Sequence, residues 1–264
     1  MSLDAITLSV LRSALAGIAE EMGTVLVRSA YSSNIKERRD CSAALFDAAG
    51  QMVAQAEHIP VHLGAMPESV AAVMARGPRP GDVWILNDPY AGGTHLPDVT
   101  LVSPIDVDGE IIAYGVTRAH HSDVGGMSPG SMPAGSRDLW QEGLIIPPVR
   151  LTDDVLTLVC ANSRTPRLRR GDFRAQASAN ALAGRRGAEL GDRGGLAAVV
   201  AGVDGGLADA ERRTRGAGRA RPGGCDRATP ALEGDGGTPA DLPLAGAVTL
   251  RGDRAAHHFS GTSP

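Results

Sequence analysis

The chain has 264 residues, a formal net charge of −4, 42 % hydrophobic residues and 3 % aromatic residues. This length allows one large domain or two small ones, and the weakly acidic balance excludes a broad basic field for nucleic acid. The three cysteines are far apart and odd in number, which predicts neither a disulfide framework nor a CxxC metal motif. The sequence has no apolar run long enough to span a membrane and no signal peptide, so we expect a cytoplasmic protein.

An amphipathic helix is predicted over residues 4–30, because apolar residues recur at three- and four-residue steps from Leu8 to Val25. Asp4 is suited to cap its first turn. Glu20 and Glu21 fall on the opposite face. This pattern is typical of a scaffold helix.

Two short strands follow, over 41–47 and 52–56, joined by a turn. Asp40 stands at the start of the first strand, where a carboxylate can point into a site. The alternative is a surface ion pair with Arg38 or Arg39. The residues alone leave both readings open.

Two histidines, His58 and His62, flank Pro60 in the next segment. The proline favours an extended chain, in which an even spacing puts both rings on one side. They either line a cleft or are ordinary loop histidines. A short helix is predicted next over 67–76, with Pro67 at an early position.

The most informative stretch is a β-hairpin predicted over 101–120, with its turn at 106–109. Hairpin pairing brings residues before the first strand close to residues after the second. Four polar side chains are thereby placed at the open end: His95, Asp98, His120 and His121. Histidines and carboxylates from two strand ends are a common way to build a metal site. The alternative is a hydrogen-bonded polar patch without a metal.

Adjacent His120 and His121 point to opposite sides of an extended strand, so we expect at most one of them to ligate a metal. Before the hairpin, Gly92 and Gly93 permit unusual backbone angles or close approach to a ligand. The Gly-, Ser- and Pro-rich loop 125–137 suits a lid or a binding loop. The sequence has no GxxxxGK[ST] motif, so no nucleotide site is predicted in this chain.

The second half of the chain predicts helices over 171–190 and 196–213 and a last hairpin around residues 251–253. We expect an α+β fold in which a mixed sheet with hairpins is flanked by helices. The expected domains are an α+β metal-site domain (1–160), a helical segment (161–213), a linker or disordered stretch (214–240) and the start of a truncated β region (241–264).

Two motifs, NDPYAGGTHLPDV at 87–99 and RAHHSDVGG at 118–126, resemble the hydantoinase B/5-oxoprolinase family. This family also includes the N-methylhydantoinase B subunit and the acetone carboxylase large subunit. Further segments agree with it in order and spacing from Ala5 to Asp192. Family B subunits are longer than this chain, so we expect a truncated member, in which 214–230 fits a compensated frameshift or a degraded segment.

The resemblance implies a metal site. Its ligands would be Asp40, His95, Asp98 and His120. Two imidazoles and two carboxylates form a borderline nitrogen and oxygen donor set, which suits the divalent metals Zn²⁺, Mn²⁺ or Fe²⁺. Cys41 is not expected among the ligands, because alternation along its strand turns it to the other face.

Further roles are assigned by adjacency to these ligands. His121 and Asp123 would be catalytic, moving protons near the metal. Substrate binding would fall to four residues that line the same cleft: His58, His62, Gly92 and Gly93.

For function, the resemblance implies the B-type subunit, or a fragment of it, of an ATP-dependent cyclic-amide hydrolase that hydrolyses a phosphorylated lactam at the metal. A hydantoinase A-type partner subunit would bind ATP and phosphorylate the substrate, so we expect a hetero-oligomer and no ATP site in this chain. The alternatives are an acetone-carboxylase-like subunit and an inactive truncated assembly remnant. Neither nucleic acid nor a membrane is expected as a partner.

Overall fold

A computed structural model of the chain describes residues 3–234 and 240–263. The chain divides into two compact units, Met1–Val203 and Asp204–Pro264. The helices and strands of the first unit are α1 (Ala5–Ser29), α2 (Ser33–Lys36), β1 (Cys41–Asp47), β2 (Met52–Glu57), α3 (His62–Met74), β3 (Trp84–Leu86), β4 (Asp98–Val107), β5 (Glu110–His120), α4 (Leu139–Glu142), β6 (Val149–Arg150), α5 (Asp153–Ala161) and α6 (Pro166–Gly194). Helix α7 (Leu196–Arg219) runs from the first unit into the second, which continues with β7 (Gly224–Ala228), β8 (Ala231–Leu232), β9 (Leu242–Pro243), β10 (Gly246–Arg251) and β11 (Arg254–His258).

The main sheet of the first unit has, within the described residues, six strands in the order β2-β1-β5-β4-β3-β6, with antiparallel pairings. Helices α1 and α6 pack on one face of this sheet, and α3 packs on the other. Side chains along β5 alternate between the two faces of the sheet. Ala119 joins the core under α1 and α6, whereas Val116 joins the core under α3. The expected α+β fold with hairpins and flanking helices is confirmed.

The β4–β5 hairpin sets the register at the centre of the sheet. Its two-residue turn consists of Asp108 and Gly109, whose φ angles of 52° and 83° are those a type I′ turn requires. Beyond the first two pairs next to the turn, a β-bulge with Ile112 as the extra residue of β5 shifts the pairing register by one residue. As a result, Asp98 pairs with His120 at the open end of the hairpin.

Helix α3 begins earlier than the sequence predicts. The expectation of an extended chain over 58–62 was wrong, because Val61 has helical angles and the His62 N–H donates to the Ile59 carbonyl over 3.2 Å. Proline fixes φ near a value that suits the first turn of a helix as well as an extended chain. The segment therefore turns into the helix, and His62 lies at the helix start.

In the second unit, β10 pairs with β11 around Gly252, which confirms the predicted last hairpin. β10 also pairs with β7, and β8 pairs with β9. The stretch 214–240, expected to be a linker, thus contains the end of α7 and strands β7 and β8, while 235–239 lie outside the described residues. Strand β7 is exposed along its whole length, so no apolar alternation marks it in the sequence.

The first unit extends to Val203, beyond the boundary expected near residue 160. The physical reason is that α6 packs along α1 and across β4 and β5, which makes it part of the same core. Among the described residues, the structure has no helix that is both long enough and apolar enough to cross a membrane.

Helix α6 is fastened to the end of α1 by Asp172, a buried carboxylate. Its Oδ1 accepts hydrogen bonds from the backbone N–H groups of Tyr31 and Ser32, over 2.7 and 3.0 Å. Its Oδ2 lies 3.0 Å from Nη2 of Arg169, which is also buried. Removing one partner of a buried ion pair leaves an uncompensated charge, so α6 depends on this carboxylate.

We expect Asp172→Ala to lower the free energy of unfolding by about 3–5 kcal/mol, because Arg169 loses its counter-charge inside the protein. Urea denaturation followed by circular dichroism measures this loss. The control is Glu21→Gln, which removes an exposed ion pair with Arg186 and should leave the midpoint nearly unchanged. Equal midpoints for the two variants would contradict the anchoring role of Asp172.

Candidate metal centre

The polar side chains of the site come together on the face of the sheet that α3 covers. Asp98 and His120 are a cross-strand pair, so their side chains leave β4 and β5 on the same side. The backbone N–H of His120 donates to the carbonyl of Asp40 over 2.9 Å, which places Asp40 beside them at the start of β1. His62 approaches from the first turn of α3.

Three donor atoms lie close to one another in a first group. The distance between His95 Nε2 and His120 Nδ1 is 3.0 Å, and Asp98 Oδ1 lies 3.3 and 3.1 Å from these two nitrogens. Two ligands of a tetrahedral Zn²⁺ are about 3.3 Å apart when each bond is about 2.0–2.1 Å long. The spacing of the three atoms therefore fits one shared cation.

Asp98 also belongs to a second group, with Asp40 and His62. His62 Nε2 lies 3.5 Å from Asp98 Oδ2 and 4.0 Å from Asp40 Oδ1. The other carboxylate oxygen of Asp40 lies 3.9 Å from His120 Nδ1. The two carboxylates thus connect both groups into one donor cluster, which consists of Asp40, His62, His95, Asp98 and His120.

The Asp98 carboxylate is held as an anion. Burial by itself raises the pKa of Asp98, but contacts from His120, His62 and Thr94 outweigh it, so the pKa lies well below the ordinary value. The Thr94 hydroxyl donates to Oδ2 over 2.6 Å. A carboxylate must be ionised to bind a metal, and Asp98 meets this requirement at neutral pH.

The donor cluster is closed toward the protein and open on its other side. The side chains of His62 and Asp98 are 1 % and 2 % exposed, whereas those of His95 and Asp40 are 44 % and 28 % exposed. Partial burial lowers the pKa of His95, which favours the neutral imidazole that binds metals. A catalytic metal site needs such an opening for water or substrate.

Arg118, buried on the same face of β5, ties the wall of the site together. Its Nε donates to Thr100 Oγ1 over 2.8 Å. Its Nη2 donates to Ser69 Oγ over 2.8 Å and to the Gly92 carbonyl over 2.7 Å. Burial lowers the pKa of this guanidinium to about 10, which leaves it charged at neutral pH. One side chain thus joins two strands, α3 and the loop before β4.

The sequence pattern of the hydantoinase B/oxoprolinase family matches residues 4–264. The chain belongs to the hydantoinase B/oxoprolinase family. The resemblance predicted from the motifs is thereby confirmed.

Two named relatives illustrate the similarity. The 5-oxoprolinase of Saccharomyces cerevisiae is 46 % identical over 150 residues, which are 55 % of this chain and 12 % of the relative. Caprolactamase subunit beta of Pseudomonas jessenii is 34 % identical over 263 residues, which are 96 % of this chain and 45 % of the relative. The chain therefore spans less than half the length of each of these proteins.

Solved structures agree with this family assignment. The crystal structure of ATP-dependent caprolactamase from Pseudomonas jessenii matches 100 % of this chain and 47 % of its own, with a TM-score of 0.91 and 33 % identity. Nucleotide-free acetone carboxylase matches 98 % of this chain and 37 % of its own, with a TM-score of 0.89 and 20 % identity. At that lower identity the second match shows the fold alone.

His121, which the sequence predicts to be catalytic, points to the α6 side of the six-stranded sheet. Its ring stacks on Phe173 with 4.3 Å between ring centroids, and its Nε2–H donates to Gln176 Oε1 over 2.9 Å. Burial, and after it the charge of Arg169, lower the pKa of His121 to about 4. The ring is therefore neutral at physiological pH and joins β5 to α6, and its catalytic role stays a prediction.

Asp123, the other residue predicted to be catalytic, holds the loop that follows β5. Its Oδ1 accepts from the Gly125 N–H over 2.9 Å, and its Oδ2 lies 3.1 Å from Nη1 of Arg164. Arg164 also donates to the Gly126 carbonyl over 2.8 Å. The potential metal groups found in the described part of the chain include neither His121 nor Asp123, and the catalytic role of Asp123 also stays a prediction.

The two histidines predicted to line the cleft take different places. His62 joins the donor cluster. His58 packs against α1, where its Cε1 would lie 3.1 Å from a Cβ atom added at Gly23. His62 thus lies in the donor cluster and His58 lies outside it. Substrate binding by either histidine stays a prediction.

Gly92 and Gly93 allow a close approach, and the partner in this structure is the protein backbone. A Cβ atom at Gly92, where φ is 88°, would lie 2.3 Å from the Ser69 backbone nitrogen. A Cβ atom at Gly93 would lie 2.3 Å from the Asn87 carbonyl oxygen. The pair therefore fixes the loop that carries Thr94 and His95, and its role in substrate binding stays a prediction.

Sequence reasoning missed three contributors to this site. It placed His62 in the cleft but not among the donors, and it did not find Thr94 or Arg118. The position of Arg118, two residues before His120 on one strand, is a signal that strand periodicity could have used. The approach of His62 had no such signal, because it depends on where α3 packs.

We expect Gly92→Ala to destabilise the protein more than Gly130→Ala and to lower metal affinity as well. Both glycines have a positive φ, 88° and 90°, so each substitution carries a similar backbone penalty of about 1 kcal/mol. Within the described residues, a Cβ atom at Gly130 meets no atom within 4 Å, whereas one at Gly92 overlaps the backbone of α3. Thermal unfolding and metal titration compare the two. Equal losses of stability and of metal affinity in the two variants would show that backbone strain, and not close packing, requires glycine at position 92.

Proposed function

We propose that this chain supplies the metal-bearing part of an ATP-dependent cyclic-amide hydrolase, in which a phosphorylated lactam is hydrolysed. The observation that supports this most is the donor cluster, where three donor atoms of His95, Asp98 and His120 lie 3.0 to 3.3 Å apart beside an opening to solvent. Family membership supports the same class of reaction, because relatives carry the names 5-oxoprolinase and caprolactamase.

The residues present fit a divalent metal of borderline hardness. We propose that His95, Asp98 and His120 hold it together with Asp40, which is the set that the family resemblance implies. Imidazole nitrogens and carboxylate oxygens suit Zn²⁺, Mn²⁺ or Fe²⁺ better than Ca²⁺, which prefers oxygen alone. A metal of this kind, when bound, polarises a carbonyl oxygen or lowers the pKa of a water molecule.

The chain's own residues orient the site. Thr94 fixes the Asp98 carboxylate, which in turn aligns His95 and His120. Arg118 and the Gly92 loop hold the wall on which these residues stand. The half-exposed His95 ring lies on the side open to solvent, which would be where the substrate carbonyl enters. Rigid support of this kind keeps donor atoms in a productive geometry.

Activation by ATP is assigned to a partner. The chain has no P-loop motif, and one relative is named as a beta subunit. We propose that an A-type subunit binds ATP, phosphorylates the cyclic amide and associates with this chain in a hetero-oligomer. The match to acetone carboxylase concerns the fold alone, so no observation favours carboxylation.

We expect His120→Ala to reduce the bound metal to near zero, because the variant loses the nitrogen that contacts both His95 and Asp98. The control is Cys41→Ala. The Cys41 thiol lies in the core under α1, and burial raises its pKa to about 12, so it is not a thiolate ligand. Elemental analysis after chelator washing and reloading with Zn²⁺ or Mn²⁺ provides the measurement. If the folded wild-type protein binds no metal after reloading, the cluster is a hydrogen-bonded polar patch and the metal site is contradicted.

In a complex with an A-type subunit, we expect ring opening of 5-oxoproline, hydantoin or caprolactam to require ATP. His120→Ala should abolish turnover, and Cys41→Ala should retain it. Product formation is followed by liquid chromatography with and without ATP and partner. Turnover without either of them would contradict the proposal. An intact, metal-loaded complex that opens none of these rings would favour an assembly remnant.

A further inference from the structure

The three-stranded sheet of the second unit, in the order β11-β10-β7, carries a groove on one face. Ala247 of β10 pairs with Arg227 of β7 and with His258 of β11. Residues paired across antiparallel strands leave the sheet on the same side, so a guanidinium and an imidazole stand on the two sides of one alanine. Adjacent strands are about 4.8 Å apart, which separates the Cα atoms of Arg227 and His258 by about 10 Å.

Small residues at β10 leave space between the two flanking strands. Ala245, Gly246 and Ala247 line the groove, whose volume is about 360 Å³. The Ala245 N–H donates to Thr262 Oγ1 over 3.0 Å, and this hydroxyl donates to the Ala245 carbonyl over 3.1 Å. The segment after β11, which adds Ser260 to the lining, is thus fastened to the start of β10. A volume of this size suits a small molecule.

The groove presents hydrogen-bond donors and, among the residues that the structure describes, no carboxylate. The acidic residue of β7, Asp226, pairs with Val248 and therefore leaves the sheet on the opposite face. In a chain with 30 acidic and 26 basic residues, this face thus has a local positive charge. The polar side chains that line the groove are Cys225, Arg227, Thr229, Thr249, His258 and Ser260.

Arg227 is available to a ligand. Within residues 3–234 and 240–263 it makes no ion pair or hydrogen bond through its side chain, whereas Arg215 and Arg219 both contact the Asp253 carboxylate. A guanidinium offers five N–H donors in a planar fork that matches the oxygens of a phosphate. The His258 ring has at least one N–H donor in either protonation state.

We propose that this groove binds the phosphoryl group of a small phosphorylated molecule. A phosphoryl group has three peripheral oxygens, so it can accept hydrogen bonds from Arg227 on one wall and from His258 on the other at the same time. A carboxylate has two oxygens in one plane, and one bidentate guanidinium already satisfies them. No residue of the donor cluster lines the groove, so this binding is separate from the proposed hydrolysis.

The test is a titration of the isotope-labelled full chain with methyl phosphate, followed by two-dimensional NMR of the backbone amides. Constant ionic strength removes the general effect of added salt. We expect saturating shifts at the amides of Gly246, Ala247 and His258. Arg227→Gln and His258→Ala should each weaken binding about 10-fold or more, because each removes a hydrogen bond to a charged group.

Two control variants match these substitutions. His257→Ala changes the neighbouring histidine of β11, which pairs with Val248 and therefore lies on the opposite face. Arg254→Gln removes the same charge as Arg227→Gln, but from a position of β11 that does not line the groove. Both controls should bind methyl phosphate as the wild type does. All four side chains are exposed, so the substitutions leave the core intact, and the amide spectra confirm that each variant is folded.

Three outcomes would overturn the proposal. Unchanged amides in the wild type at high methyl phosphate concentration would exclude the site. Equal weakening by Arg254→Gln and Arg227→Gln would show that the charge of the sheet, and not the groove, attracts the anion. Acetate should give no saturating shift at the same amides, and equal affinities for acetate and methyl phosphate would exclude a phosphoryl site.

Discussion

The pairing of Asp98 with His120 across the β4–β5 hairpin is the constraint on which the rest of the site depends. Residues paired across an antiparallel ladder leave the sheet on the same side, and a slip of one residue would send one of them to the opposite face. The same alternation along β5 puts Arg118 beside His120. The neighbouring strand places Ser42 within reach of His62. A single register thus positions the donors and the groups that orient them.

The two faces of the sheet perform different tasks at the level of His120 and His121. On the α3 side, charged and polar groups surround an opening, and the pKa of Asp98 is lowered so that it stays ionised. On the α6 side, Gln176 donates from Nε2 to the Val99 and Thr117 carbonyls, over 3.0 and 3.3 Å, and accepts from His121. Hydrogen bonds from a helix to the backbone of the strands rigidify the sheet from behind. Packing on the α6 side can therefore hold the donor geometry on the α3 side.

Local patterns were enough to predict most elements of the first unit. The capping contact of Asp4, with Oδ1 accepting from the N–H groups of Ile6 and Thr7 over 3.0 Å each, is a short-range interaction that sequence spacing reveals. The hairpin turn was likewise signalled by an Asp-Gly pair. Strand β7 and the start of α3 were not predicted, because an exposed strand has no apolar period and Pro60 is compatible with both a turn and an extended chain.

The sequence by itself determined that His95 and Asp98 would meet a histidine at the open end of a hairpin, because turn chemistry and alternation act over a few residues. Hairpin spacing alone did not determine which histidine, and only the family resemblance favoured His120. The bulge leaves Ile112 without a partner in β4. If Ile112 instead paired with Ile105 in a regular ladder, the two-residue turn would place Ala119 opposite Asp98 and His121 on the Asp98 face. Nor did it determine that His62 would complete the cluster. That contact exists because Met66, Val70 and Val73 pack α3 onto the sheet, and packing between elements distant in sequence is decided only by the tertiary structure.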